Sequence, residues 1–327
     1  MSTPMKNDHQ IAGAVSPEVS DAMEEARQRA TGRRRDMRRG VLMMVVAMLM
    51  LPGIDAIAKS LSGELSPGQL SWGRFFFQTI FLFGFVLFGD GFRVGRNIWK
   101  HAGRGCLIAT ATVLFFMAIS EMPLADTMAI FFVEPLILTL LAPWLLKEHV
   151  GWRRMAAVVV GLAGSLLVIQ PSFREFGLVA LYPVGAATGM AFYIILTRSL
   201  TRDTGTFTMQ FFAGVFGALF MSMALAVGTS ADIAPLTFIW PTPVQWVWIM
   251  ALAAVATVGH LLIVQAVRRI GAAMIAPFQY LEIVSATFLG YVVFGDFPGP
   301  AIWFGMAIII AAGLYVFYRE QVRAGED

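Results

Sequence analysis

Stretches of about 20 apolar residues, each long enough to carry a helix across a bilayer, recur along the chain from Gly40 to Tyr318. Ten such windows can be marked, at 40–60, 66–89, 104–121, 123–146, 154–170, 177–198, 206–228, 243–267, 271–294 and 300–318. Each is longer than the ~10 residues of a barrel strand and lacks its strict alternation. A backbone in lipid must also satisfy its own hydrogen bonds, which favours helices. With 57% hydrophobic and 14% charged residues, too little polar surface remains for a soluble domain. The sequence therefore predicts an all-α integral membrane protein with ten transmembrane helices.

Basic residues set the orientation. Lys6, Arg27, Arg29, Arg33, Arg34, Arg35, Arg38 and Arg39 precede the first window, and Arg93, Arg96, Lys100 and Arg104 lie between the second and third. Lys147, Arg153 and Arg154 follow the fourth, Arg198 and Arg202 the sixth, Arg268 and Arg269 the eighth, Arg319 and Arg323 the tenth. Lys and Arg near span ends are retained on the cytoplasmic side. This alternation predicts cytoplasmic N and C termini. Only Arg174 falls in an opposite loop.

Residues 1–39 read as a disordered basic cytoplasmic tail, and 319–327 as a second, short one. The Arg33–Arg39 end can touch anionic membrane lipid, or act only as a topology determinant. The positive net charge is explained by topology and implies no nucleic-acid partner. Cys106, the single cysteine, excludes an intrachain disulfide. His9, His101 and His149 show no metal-ligand spacing. No phosphate-cradling glycine loop or nucleophile elbow is visible, so neither a metal, a cofactor nor a catalytic site is expected. An intramembrane enzyme built on Glu134 and Glu282 is the remote alternative.

Shifting the chain by 148 residues lays Glu134 on Glu282, Ala118 on Ala266, Thr139 on Thr287, Gly151 on Gly299 and Glu148 on Asp296. The repeat unit holds five windows, an odd number, so the second copy enters the membrane from the opposite side. The predicted fold is two inverted five-helix repeats, residues 40–170 and 177–318. Inverted repeats are a hallmark of secondary transporters, with the substrate site near the midplane between the halves.

The intramembrane polar residues carry the candidate site, because a charge in hydrocarbon is expensive unless it meets a cavity or a partner. Glu134 and Glu282 fall near the middle of their windows. They line a cavity and bind a cation or proton, or they are protonated acids hydrogen-bonded between helices. Asp55 and Arg74, in the outer halves of the first two spans, are expected to form an ion pair, either structural or gating. Lys59 is expected to snorkel, and Glu121 and Asp126 to be hydrated near the outer mouth. His260, placed toward the cytoplasmic end of the eighth span, is a packing histidine or a proton relay. Tyr193, Gln210, Gln279 and Tyr280 offer neutral hydrogen-bonding groups. Phe75, Phe76, Phe77, Phe131, Phe132 and Phe278 offer aromatic faces, a minority of them to substrate. Pro52–Gly53 and Pro277 weaken helices where a gate would hinge.

The small-residue entry MPLADTMAIFFVEP, the following LLKEHVGWRR and the echoing APFQYLEIVSATFLGYVVFGD resemble the EamA type of the drug/metabolite transporter superfamily, from Gly40 to Tyr318. GIDAIAKSL, SWGRFFF and LVIQP look most like the bacterial branch that includes S-adenosylmethionine uptake permeases and riboflavin transporters. The resemblance implies a secondary carrier taking up a small organic metabolite by alternating access, riboflavin or S-adenosylmethionine foremost, with export of amino acids or amphiphilic drugs as the alternative. It also implies a central cavity between two bundles, with spans five and ten set apart as packing or homodimer helices. Glu134 departs from it, since the family position before the proline is often apolar, and takes no role from it.

Overall fold

The computed structural model describes residues 35–88, 97–145, 152–200, 204–270, 278 and 281–324, and all regular structure among them is helical. The helices are α1 (35–50), α2 (Pro52–Leu61), α3 (Pro67–Phe88), α4 (Ile98–Glu121), α5 (Leu124–Phe131), α6 (Glu134–Leu145) and α7 (Trp152–Phe176). They continue as α8 (Tyr182–Arg198), α9 (Thr206–Ser230), α10 (Pro243–Ile270), α11 (Leu281–Phe294) and α12 (Pro300–Ala324). Four of them begin at a proline, whose missing N–H is harmless in a first turn and whose fixed φ suits one.

Among the described residues, seven helical stretches are long and apolar enough to cross a membrane, and α11 and Pro300–Tyr315 are shorter apolar helices. The chain is a multi-pass membrane protein. One stretch, Met155–Thr197, has 43 residues, about 65 Å at 1.5 Å per residue, roughly twice the hydrocarbon thickness. It is divided at Gly177, where φ is +63°, a conformation that glycine adopts without penalty. α7 thus runs on through Pro171 to Phe176, past the expected end at residue 170.

Two windows expected to be single helices are broken. The first is interrupted at Leu51, where Pro52 cannot donate to the preceding turn and its ring crowds the carbonyl four residues back. Ser285 Oγ of α11 donates to the Leu49 carbonyl at 2.9 Å, beside this break. The second is interrupted at Phe132 and Val133, where Pro135 does the same to the turn before it. Val133 N–H falls back on the Ile130 carbonyl at 3.1 Å, a tightened closing turn. α6 starts afresh at Glu134.

α3 packs on α9, α4 on α8 and α9, α7 on α12, α10 on α2 and α3, α11 on α2 and α5, and α6 on α8. Small residues make the closest approaches. A side chain at Gly214 or Gly217 of α9 would stand 2.6 Å from Thr79 Oγ1 or 2.9 Å from the Phe75 ring of α3. Without a hydrophobic drive between helices in lipid, such close packing is what holds them.

Candidate functional site

α4 serves as a ruler for depth. Arg104 stands near its start and Met122 just past its end; the 18 intervening steps span about 27 Å. Thr112 lies between them, about 12 Å along from Arg104.

Thr112 is where the central cluster forms. Arg74 Nη1 donates to Thr112 Oγ1 at 2.5 Å, and Nη2 lies 3.4 Å from His260 Nε2. His260 Nδ1 is 2.8 Å from the Ala256 carbonyl. A carbonyl only accepts, so Nδ1 carries the proton and Nε2 accepts from the guanidinium. The guanidinium also lies 4.9 Å from the centre of the Phe75 ring. Arg74 is buried, and its Nε has no hydrogen-bond partner among the described residues. Arg74 and His260 therefore share one depth, whereas the sequence suggested opposite halves. α10, at 28 residues, is about 42 Å long, so counting from its end misjudges where the membrane lies.

Asp55 of α2 is buried and within electrostatic reach of Arg74, but no ion pair within 4.0 Å joins them. The expected pair is replaced by Thr112 and His260, which α4 and α10 bring closer. Glu282, half-buried in α11, is within electrostatic reach of both Asp55 and Glu134. Glu134 is buried in the first turn of α6. Glu134 thus stands at a helix start rather than mid-helix. Helix N-termini carry partial positive charge, which suits a carboxylate.

Gln279 and Tyr280, with residues 1–34 and Lys147, lie outside the described residues. Tyr193 and Gln210 belong to a different cluster, centred on Arg104. From the basic loop expected between spans two and three, Arg104 moves inside α4 and is 1% exposed. Its Nε donates to Thr197 Oγ1 at 2.8 Å, Nη1 to the Met209 carbonyl at 2.5 Å, and Nη2 to Tyr193 hydroxyl at 2.6 Å and Gln210 Oε1 at 3.2 Å. It ties α4 to α8 and α9 through neutral acceptors. The signal for it was local: Gly103 and Gly105 flank it, and a side chain at Gly105 would stand 2.5 Å from Phe216 of α9.

At the other end of α4, Lys59 reaches past the helix ends. Its Nζ is 2.6 Å from Asp296 Oδ2, donates to the Met122 carbonyl at 3.0 Å and lies 4.9 Å from the Phe294 ring. Asp126 is buried rather than hydrated, because α5 is enclosed by α7, α8 and α11, while Glu121 is exposed. Of the aromatic residues, Phe75 and Phe132 are core and Phe131 stacks edge-on with Phe115. Phe76 and Phe77 join Trp72 and Trp246 in a cluster between α3 and α10.

Residues 38–170 and again 177–318 match the model of the EamA-like transporter family. The chain belongs to that family. An EamA-like chain of this kind is a small-metabolite transporter of the inner membrane. Its relatives include an S-adenosylmethionine uptake transporter of Rickettsia bellii, 25% identical over 86% of this chain and 94% of that protein. A riboflavin transporter of Rhizobium johnstonii is 25% identical over 87% of this chain and 92% of its own length. A protein crystal structure superposes with a TM-score of 0.58 at 20% identity, covering 84% of this chain and 95% of that one, a likeness of fold alone.

Proposed function

We propose that this EamA-like transporter is a carrier that takes up S-adenosylmethionine or riboflavin by alternating access between two inverted five-helix repeats, with both termini cytoplasmic. The observation that carries the reading is the partly to fully buried cluster of Asp55, Arg74, His260, Glu134 and Glu282, tied to Thr112 halfway along α4 through Arg74 and lying beside two helix breaks. Charged groups at membrane depth mark substrate and ion pathways, and discontinuous helices frame such sites in carriers.

The inverted repeat is supported by packing that comes in mates. A five-span shift turns α4 on α8 into α10 on α2, α4 on α9 into α10 on α3, and α6 on α8 into α11 on α2. The family model matching twice points the same way. The positive-inside pattern puts the Arg104 cluster on the cytoplasmic side and Lys59–Asp296 on the outer side. Each is a tie that must loosen on its own side for the central cluster to open. Glu134 and Glu282 are the groups that bind a substrate cation or exchange a proton, and no catalytic role is assigned. Along the paired α7 and α12, Val159, Val160, Leu166 and Phe304 are exposed, a face for lipid or a second copy.

The test is uptake of labelled S-adenosylmethionine and labelled riboflavin into proteoliposomes, against empty liposomes. Saturable entry of either supports the reading; entry of neither, with outward movement of amino acids or amphiphilic drugs, replaces uptake by export.

A further inference from the structure

We infer that the central site is divided by charge: Arg74 receives a carboxylate of the substrate, and Asp55 with Glu282 receives cationic groups. The substrate class is then an amino-acid-type carboxylate bearing at least one further cation. This rests on the transport reading above and selects between its two candidates.

Arg74 is the starting point. A guanidinium has five N–H donors in a planar fork that fits a carboxylate. The neutral partners Thr112 and His260 engage one nitrogen each, and the buried Nε has no partner among the described residues. Burying an arginine without an anion, and leaving a donor unmade, are both unfavourable. The Arg74 end of the site is therefore incomplete until an acceptor arrives.

Asp55 could have been that acceptor. Instead it senses Arg74 only through space and makes no hydrogen bond or ion pair among the described residues. The two groups approach no closer than 4.0 Å, so they form no ion pair with each other. Beyond Asp55 the charge is again acidic, since Glu282, on the helix packed against α2, senses Asp55. His260 adds no charge, because its Nδ1 proton is held by the Ala256 carbonyl and its Nε2 accepts from Arg74. Among the described residues the site thus presents two acids, Asp55 and Glu282, to one base. A complementary ligand carries one anion and more than one cation, as S-adenosylmethionine does in its carboxylate, ammonium and sulfonium. Riboflavin, with an uncharged ring system and a polyol, meets neither end.

The test uses the purified full-length chain, with ligand-induced thermal stabilisation in nanodiscs beside uptake competition in proteoliposomes. The probes are S-adenosylmethionine, decarboxylated S-adenosylmethionine, S-adenosylhomocysteine and riboflavin. The parent compound is expected to bind about tenfold or more tighter than either charge-deleted analogue, as a site built around a polar group rejects ligands lacking it. Arg74→Gln should level the parent with its decarboxylated form while leaving the latter's affinity unchanged. Asp55→Asn should level the parent with S-adenosylhomocysteine.

Equal binding of the decarboxylated form by the unaltered protein, tightest binding of riboflavin, or binding of no probe overturns the inference. If a variant does not fold, the ratios in the unaltered protein still decide. Labelled riboflavin uptake would keep the transport reading and defeat this one. Charge-selective binding without label entry would do the reverse.

Discussion

Arg104 Nη2 donates to the Tyr193 hydroxyl at 2.6 Å, and its guanidinium carbon lies 4.7 Å from the centre of the same ring. One cation thus holds one phenol by edge and face together, and its other nitrogens reach Thr197 and Met209. Every acceptor in the cluster is neutral, so shape and donor count do what charge pairing does elsewhere. The planar fork is what fits.

Arg104→Gln should therefore be more harmful to folding than to chemistry. It strands several buried acceptors, each costing about 1–3 kcal/mol, for an expected loss of about 3 kcal/mol or more. Arg104→Lys should recover little, since an ammonium cannot span α8 and α9 at once. Tyr193→Phe, which removes one bond and leaves the others, should cost about 1 kcal/mol. Thermal unfolding in detergent micelles orders the three; Arg104→Lys matching the unaltered protein would remove the fork argument.

Lys59 and Asp296 predict a state-dependent tie. Their pair is largely shielded, with side chains 16% and 26% exposed, so a double-mutant cycle of Lys59→Ala and Asp296→Ala should show a coupling of about 1 kcal/mol. In a background lacking Cys106, a short bifunctional thiol reagent joining Lys59→Cys to Asp296→Cys should stop uptake, and uptake should return when the linker is cleaved. Undiminished transport by the linked protein would mean that this end need not open.

Pro135 predicts a separation of stability from activity. Pro135→Ala removes the residue that ends α5, so α5 and α6 should tend to fuse, with stability unchanged or raised by about 1 kcal/mol. Glu134 would then lose its place at a helix start, and the initial rate of uptake should fall about tenfold. The pairing of a retained melting temperature with a lowered rate is the signature; a fall in both would mark the proline as merely structural.

Glu134 and Glu282 predict the pH response. Uptake driven by an imposed proton gradient should be lost in the Glu134→Gln/Glu282→Gln double variant, while counterflow exchange without a gradient should survive if the pair couples rather than binds. Unchanged gradient-driven uptake in that variant, with the same pH profile, removes proton coupling through these residues.

How far the site was legible depended on distance along the chain. Glu134 and Glu282 announced themselves because a carboxylate inside an apolar window is conspicuous, and the shift of 148 residues made them a pair. Asp55 and Arg74 were visible for the same reason. Their expected partner was each other, because neighbouring spans are the natural first guess; nothing local shows that α10 brings His260 to Arg74 across 186 positions. Asp296 was hidden from Lys59 by 237 positions in the same way. Arg104 was missed for the opposite reason: it sits six residues from the start of α4, in a run so basic that loop was the cheaper explanation. Helix breaks at Pro52 and Pro135 were half legible, since proline marks a weak point without showing whether the helix bends or stops.

The way the two family segments interlock also bears on how the protein is made. α3 lies on α9, α4 on α8 and α9, and α7 on α12, so the main packing faces of the first segment are covered by the second. The ribosome releases them in order. Until α9 emerges, Arg104 has no Met209 or Gln210 to hold, and Lys59 waits longer still for Asp296. The first segment must therefore sit in the bilayer with two basic side chains unmatched and with glycine-lined faces open, a stage at which insertion machinery or chaperones have something specific to shield.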